Sequence, residues 1–287
     1  MASGLNKTKR RIVSVKSTKK ITKAMGMVST VKLKRYRDVF DASNGYSLEI
    51  ARLMAELFQQ DMGERTHYAS YNDGVEGTLY ILFTSDLGLC AGYNNELFKY
   101  TDKVLKPGDT LIPLGQKGVN HYQRNEPKGV TVDLSLAPLG LDPDPAAVAR
   151  TMQSLKEDFN AKKYRNIVLI YTHYVNSLRF VPEEFQLLPV DMPFERKAED
   201  DYCPKIMEPD AKTMIHMLLP EYLASLFAAK LTESKVSEQA SRRSAMDKAN
   251  DNADELIEKL TIEYNKARQG AITQEITEVV SGAKAQQ

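Results

Sequence analysis

Residues 249–271, ANDNADELIEKLTIEYNKARQGA, place Ala249, Ala253, Leu256, Leu260, Tyr264, Ala267 and Ala271 at gaps of four, three, four, four, three and four. That is one small-to-apolar stripe along a helix. The gaps average about 3.67 residues per turn, the spacing of a nearly straight or slightly right-handed pairing. No proline follows Pro220, and no glycine occurs between it and Gly270. Pro220 itself is expected to break or restart the helix. From Pro220 to Gly282 the helix would run roughly 90 Å at 1.5 Å per residue. Such a length cannot be buried in a domain of this size, so the stripe needs a partner.

The other end of the chain supplies a candidate. No proline occurs from Asn6 to Gln60, and Ile12, Val15, Ile21, Met25, Val28, Tyr36 and Val39 fall on one narrow stripe. A narrow seam suits a two-stranded coil better than a globular helix, which usually presents a broader face. Gly26, in mid-pattern, should cost about 1 kcal/mol relative to alanine. The expected division is therefore a coiled-coil helix at 1–60, an inserted domain at 75–195 and a second coiled-coil helix at 209–287.

Between the two helices the period changes. Thr78 to Thr84, Thr110 to Leu114, Val130 to Leu136, Asn166 to Tyr171 and Phe180 to Val190 read as strands bounded by Gly, Pro, Asn and Asp. Asp144 to Lys163 reads as an amphipathic helix with Val148, Met152, Leu155 and Phe159 on one face. Alternating strands and helices point to an open, mainly parallel, Rossmann-like α/β sheet. The fold class is thus α/β, with the sheet domain inserted between two long helices.

Charge is distributed unevenly. Residues 1–37 hold twelve Lys and Arg and no Asp or Glu, while the remaining 27 basic residues face 38 acidic ones. A net charge of +1 hides this polarity. No run of eighteen apolar residues is present, so no transmembrane helix is expected. The basic start lacks the apolar block of a secretory signal. Met1 directly before a helix favours a bacterial over an imported protein. Cys90 and Cys203 lie far apart and give neither metal nor redox spacing, which favours a reducing compartment.

The one turn with ligand-binding character is Thr84-Ser85-Asp86-Leu87-Gly88-Leu89-Cys90-Ala91-Gly92-Tyr93-Asn94, between a strand and a helix. It lacks the G-x-G-x-x-G spacing and any GK[ST], which favours a structural turn over a phosphate cradle. His173 reads as a satisfied strand residue. Glu183 and Glu184 are adjacent, so in a strand they point to opposite faces and make a poor catalytic pair. No catalytic, cofactor or metal residues are expected.

Twelve uncompensated positive charges call for an opposite surface nearby. The acidic positions Asp247, Asp251, Asp254, Glu255 and Glu258 of the C-terminal helix are one candidate; an acidic partner, nucleic acid and anionic lipid are the others. Nucleic acid would favour aromatic platforms beyond Tyr36 and Phe40. Membrane adsorption would favour bulky apolar residues opposite the charges, yet no Trp or Phe precedes Phe40. A basic coiled-coil scaffold or nucleic-acid adaptor remains the alternative function.

Three motifs, in order, carry a resemblance. Lys19-Lys20-Ile21-Thr22-Lys23-Ala24-Met25-Gly26-Met27-Val28 resembles the N-terminal signature of the gamma subunit of F-type ATP synthases. Ser85 to Asn94 is similar to its central motif. Tyr264 to Gln269, with Ile272 to Ile276 and Gly282-Ala283, resembles its C-terminal signature. The resemblance implies an antiparallel coiled coil of the two terminal helices, standing as a central stalk in a ring of alpha and beta subunits. It implies a foot that meets epsilon and the membrane ring of c subunits. The chain would then be a rotary shaft without catalysis of its own, serving ATP synthesis and proton or sodium transport. It would sit peripherally at the cytoplasmic face of the bacterial membrane, with no nucleic-acid partner and no cofactor.

By the same resemblance, Lys16, Lys19, Lys20, Lys23 and Lys32 would face an acidic beta loop, with Met25 beside it. Arg268, Gln269, Thr273 and Glu275 match a hydrogen-bonded catch on beta, and Arg242 matches a nearby motif arginine. Val279, Val280 and Ala283 would fill an apolar sleeve, and Tyr202 and Glu208 would belong to the foot. Ile21, Val28, Leu256, Leu260 and Tyr264 would form the seam. Three departures stand out: Gly26 replaces the usual Glu, Leu87 the usual Arg of the central motif, and Ala91 a usual Gly. No second cysteine lies near Cys203, so thiol control of the chloroplast kind is not expected.

Overall fold

A computed structural model describes residues 2–176, 179–191 and 208–285. Two long helices, α1 (Ala2–Gln60) and α6 (Ala211–Ala285), each contribute to two compact units. One unit comprises residues 1–30 with 242–287, and the other residues 31–241.

In the larger unit the sheet order is β3-β2-β1-β4-β5. Strand β1 (Thr78–Phe83) pairs in parallel with β2 (Thr110–Leu114) on one side and β4 (Asn166–Asn176) on the other. The two-residue β3 (Thr131–Val132) is parallel to β2, and β5 (Arg179–Leu188) closes the far edge antiparallel to β4. All six residues of β1 are buried, as a central strand covered on both faces requires.

The period-two alternation of β1 divides its side chains between two cores. Leu79, Ile81 and Phe83 pack with Met54, Leu57 and Phe58 of α1, with Met152 and Phe159 of α5 (Pro145–Asn160), and with Leu219, Leu223 and Phe227 of α6. The Phe83 and Phe227 rings meet edge to face at 5.1 Å. Tyr80 and Leu82 pack on the other face with Tyr93 and Leu97 of α3 (Tyr93–Val104) and Tyr122 of α4 (Gln116–Arg124). A short helix, α2 (Met62–Ala69), follows α1 and is capped by Asp61, whose carboxylate accepts from the Gly63 and Glu64 amides.

Three expectations need correction. The strand expected over 130–136 shrinks to Thr131–Val132, because the Asp133 carboxylate accepts from the Ser135 amide and hydroxyl and turns the chain. Strand β4 runs on to Asn176, since its far half gains a ladder with β5. Pro220 neither ends nor restarts its helix, which is continuous from Ala211 to Ala285. Proline at 220 removes the amide that would bond the His216 carbonyl. Lys156 on α5, 7% exposed, donates its Nζ to that carbonyl at 3.1 Å instead. Burial pushes the Lys156 ammonium below the usual lysine value.

In the smaller unit the two helical segments run antiparallel. Lys19 pairs with Asp254, the Thr22 hydroxyl donates to Asn250 Oδ1 at 2.5 Å, and Gly26 lies against Met246. A Cβ added at Gly26 would stand 3.4 Å from the Met246 Cβ, so this glycine sits at a close approach of backbones. Buried and half-buried positions on the first segment are Leu5, Thr8, Ile12, Val15, Lys19, Thr22, Met25, Gly26 and Ser29. Met25 apart, they alternate gaps of three and four. On the second segment Met246, Asn250, Ala253, Ile257, Leu260, Tyr264 and Ala271 follow the same rhythm. This rhythm is close to a 3.5-residue repeat; of the stripe read from the sequence, Ala249, Ala253, Leu260, Tyr264 and Ala271 are buried or half-buried, and Leu256 and Ala267 are exposed.

The seam therefore differs from the one expected. Ile21 is 61% exposed, Val28 55% and Leu256 40%, whereas Leu260 is buried and Tyr264 half-buried. Bulky apolar residues give the stronger periodic signal, but a close approach selects small and polar ones, here Thr22, Gly26 and Ser29.

Candidate interaction surfaces

The turn after β1 stands at the C-terminal ends of the parallel strands, where the order reverses between β1 and β4. In an open α/β sheet this crevice ordinarily receives a ligand. Asn94 closes the turn from within: its Oδ1 accepts from the Ser85 amide at 3.1 Å, and its Nδ2 donates to Ser85 Oγ at 2.7 Å. Leu89 and Ala91 take the left-handed backbone region, with φ of 62° and 50°. A Cβ at Gly115 or Gly118 would fall within 2.7 Å of Thr84 atoms, so these two glycines let the neighbouring β2 turn close onto β1.

The crevice itself is filled by α6. Ser234 hydrogen-bonds the Tyr93 hydroxyl at 2.8 Å, Ser237 Oγ donates to the Thr172 carbonyl at 3.1 Å, and Ser241 Oγ donates to the Cys90 carbonyl at 2.8 Å. His173 bonds Glu233, 3% exposed, and Lys230 donates to the Tyr171 hydroxyl at 3.0 Å, so both contacts tie β4 to the same helix. Among the described residues no group of three or more His, Cys, Asp or Glu could hold a metal ion. No described helix is long and apolar enough to cross a membrane.

In the smaller unit Lys16, Lys20 and Lys23 are exposed, Lys19 is half-buried in its pair with Asp254, and Met25 is half-buried. Ile21, Met27 and Val28 are exposed beside the lysines, so this face mixes positive charge with apolar side chains. Arg268, Gln269, Thr273 and Glu275 are all exposed on the second segment. The Thr273 hydroxyl donates to the Gln269 carbonyl of its own helix at 3.0 Å. Val279 and Val280 are 72% and 50% exposed, whereas Arg242 is buried. Tyr202 and Cys203 lie outside the described residues, as does the side chain of Ala283.

In the larger unit Lys32 and Glu208 are exposed. Leu87 and Leu89 project from the β1 turn at 64% and 63% exposure. Apolar-period reading missed the Thr22–Asn250 and Lys19–Asp254 contacts. The signal that could have found them is the unbroken three-four rhythm from Leu5 to Ser29, ignoring side-chain polarity.

The family model described as ATP synthase matches residues 4–286. The ATP synthase gamma chain of Malacoplasma penetrans is 36% identical over 296 residues, covering 99% of both chains. That of Symbiobacterium thermophilum is 35% identical over 292 residues, covering 100% of both. Among solved structures, a chain of the Euglena gracilis mitochondrial ATP synthase, OSCP/F1/c-ring, shares the fold with a TM-score of 0.66. It is 17% identical, and the match covers 99% of this chain and 95% of that one. A chain of the central stalk/c-ring of Tetrahymena thermophila mitochondrial ATP synthase gives 0.58 at 23% identity, with 80% and 99% covered. With the family model spanning residues 4–286 and these gamma chains above 30% identity over nearly all of both sequences, the chain belongs to the ATP synthase gamma chain family.

Proposed function

We propose that this chain is the central rotor shaft of an F-type ATP synthase and catalyses nothing by itself. It couples ion flow through a membrane ring of c subunits to conformational change at catalytic sites on beta subunits. The observation that carries this reading is end-to-end similarity, above 30% identity, to gamma chains. The antiparallel pairing of the chain's ends, with charged and apolar side chains left outward, supports it.

In this reading Lys16, Lys19, Lys20, Lys23 and Lys32 meet an acidic surface on beta in turn. Exposed ion pairs are worth about 0–1 kcal/mol each, weak enough to be made and released as the shaft turns. Arg268, Gln269, Thr273 and Glu275 form the hydrogen-bonding catch with beta, and Met25 lies at its contacts; Arg242, expected there too, is buried within the chain. Val279, Val280 and Ala283 run in an apolar sleeve. Tyr202 and Glu208 belong to the foot that meets epsilon and the c ring. The assembly works peripherally on the cytoplasmic face of a bacterial membrane, in ATP synthesis and hydrogen-ion or sodium transport.

The test is reconstitution. Co-expressed with ring and membrane subunits, the chain should co-purify with an ATP-hydrolysing complex and confer ATP-driven ion pumping on vesicles. The purified chain alone should hydrolyse no ATP. A complex that assembles and pumps equally well without the chain overturns the reading.

A further inference from the structure

Within the larger unit, side-chain hydrogen bonds to backbone groups tie α6 to the α/β layer at two places, besides the bond from Ser47 of α1 to the Ser225 carbonyl at 3.2 Å. The first is Lys156, which reaches from α5 to the His216 carbonyl at 3.1 Å. That carbonyl lacks its helical donor because residue 220 is proline. The second is the serine stretch, where Ser237 bonds the Thr172 carbonyl and Ser241 the Cys90 carbonyl, at 3.1 and 2.8 Å. Ser234 joins them through the Tyr93 hydroxyl. Ser234, Ser237 and Ser241 are at most 2% exposed. Thr172 lies in β4 just past the stretch paired with β1, and Cys90 in the turn that follows β1, so α6 occupies the crevice there as an internal ligand.

Apolar packing alone tolerates some sliding of one element past another. A hydrogen bond to a particular carbonyl does not, because a one-residue slip turns a helix by about 100° and carries each serine away from its acceptor. We propose that the α/β layer grips α6 from His216 to Ser241 as the anchored end of a torque-bearing helix, with Lys156 replacing the amide that Pro220 lacks. The torque role rests on the rotor reading, whereas the grip stands on the geometry alone.

Two measurements on the full chain and the assembled complex test it. In amide hydrogen exchange, Lys156→Met should speed opening of α6 near residues 216–226 by about tenfold, the effect of losing one buried hydrogen bond. Adding Pro220→Ala restores a backbone donor for His216 and should return exchange to within about twofold of the parent. Replacing Ser234, Ser237 and Ser241 together with Ala should speed exchange across 230–241 and leave 250–264 unchanged. Unchanged exchange in Lys156→Met, or a double variant no slower than the single, overturns the grip.

In the assembled complex the triple serine variant should hydrolyse ATP at the parent rate but pump fewer ions per ATP. Parent pumping together with loosened exchange overturns the torque role and leaves the grip standing. If the chain never enters a ring complex, the rotor reading fails, and exchange still decides the grip.

Discussion

At the scale of single residues, glycines and charges give the sharpest expectations. Gly118 has no room for a methyl group, since its Cβ would lie 2.7 Å from Thr84 Oγ and 2.8 Å from Thr84 Cγ. Gly118→Ala should therefore destabilise the chain by about 1–3 kcal/mol, the usual cost of overpacking, seen as a lower midpoint in denaturant melts. Gly26 stands where the resemblance leads one to expect Glu, and the carboxylate of Asp247 lies 3.9 Å from its would-be Cβ. Gly26→Glu should disturb the pairing with the 242–287 segment, whereas Gly26→Ala should be tolerated and offset part of the helix penalty. On the exposed face, Lys20→Glu with Lys23→Glu should leave the melting temperature of the chain unchanged while lowering ATP-driven pumping in the complex. Undiminished pumping would count against an acidic counterpart there.

At the scale of helices and strands, the seam of the smaller unit separates side chains that look alike in the sequence. Leu260→Ala empties a position 3% exposed and should cost about 2–4 kcal/mol, as core leucine truncations do. Ile21→Ala, at 61% exposure, should change stability by less than about 0.5 kcal/mol. Equal losses in thermal melts would show that the seam lies elsewhere. Thr22→Ala and Asn250→Ala should couple in a double-mutant cycle by about 0.5–1.5 kcal/mol, since their polar atoms bond each other.

The central strands were readable because β1, β2 and the start of β4 are short apolar runs between turn residues, and β5 was found nearly whole. The long helices were readable from period and from missing proline. What hid was whatever depended on a distant partner. The far half of β4 is ordered by β5, the helix crosses Pro220 with help from Lys156, and the seam carries Thr, Gly and Ser where apolar scoring looks for Ile and Val. Of the surface residues, the resemblance supplied the identities, and composition supplied only the basic start of α1.

At the scale of the whole molecule, two buried phenols set a limit on alkaline stability. Burial, with the Glu184 carboxylate adding to it, pushes Tyr80 up to about 12. Burial, with Asp191 adding to it, does the same to Tyr222. An unfolded tyrosine ionises near 10. Between about pH 10 and 12 the unfolded chain therefore binds fewer protons than the folded one, and stability falls as pH rises through that window. Absorbance at 295 nm should show these phenols ionising together with the loss of helical circular dichroism. Earlier, independent ionisation would mean that they are not buried.

The outward-facing Ile21, Met27 and Val28 have a further consequence. In the rotor reading, a copy synthesised in excess of its ring would carry that apolar strip bare to water, with lysines beside it that cover it only in part. Orphan chains are then the ones that should clump or be cleared by proteases, and matched production of the subunits becomes a physical necessity rather than a convenience.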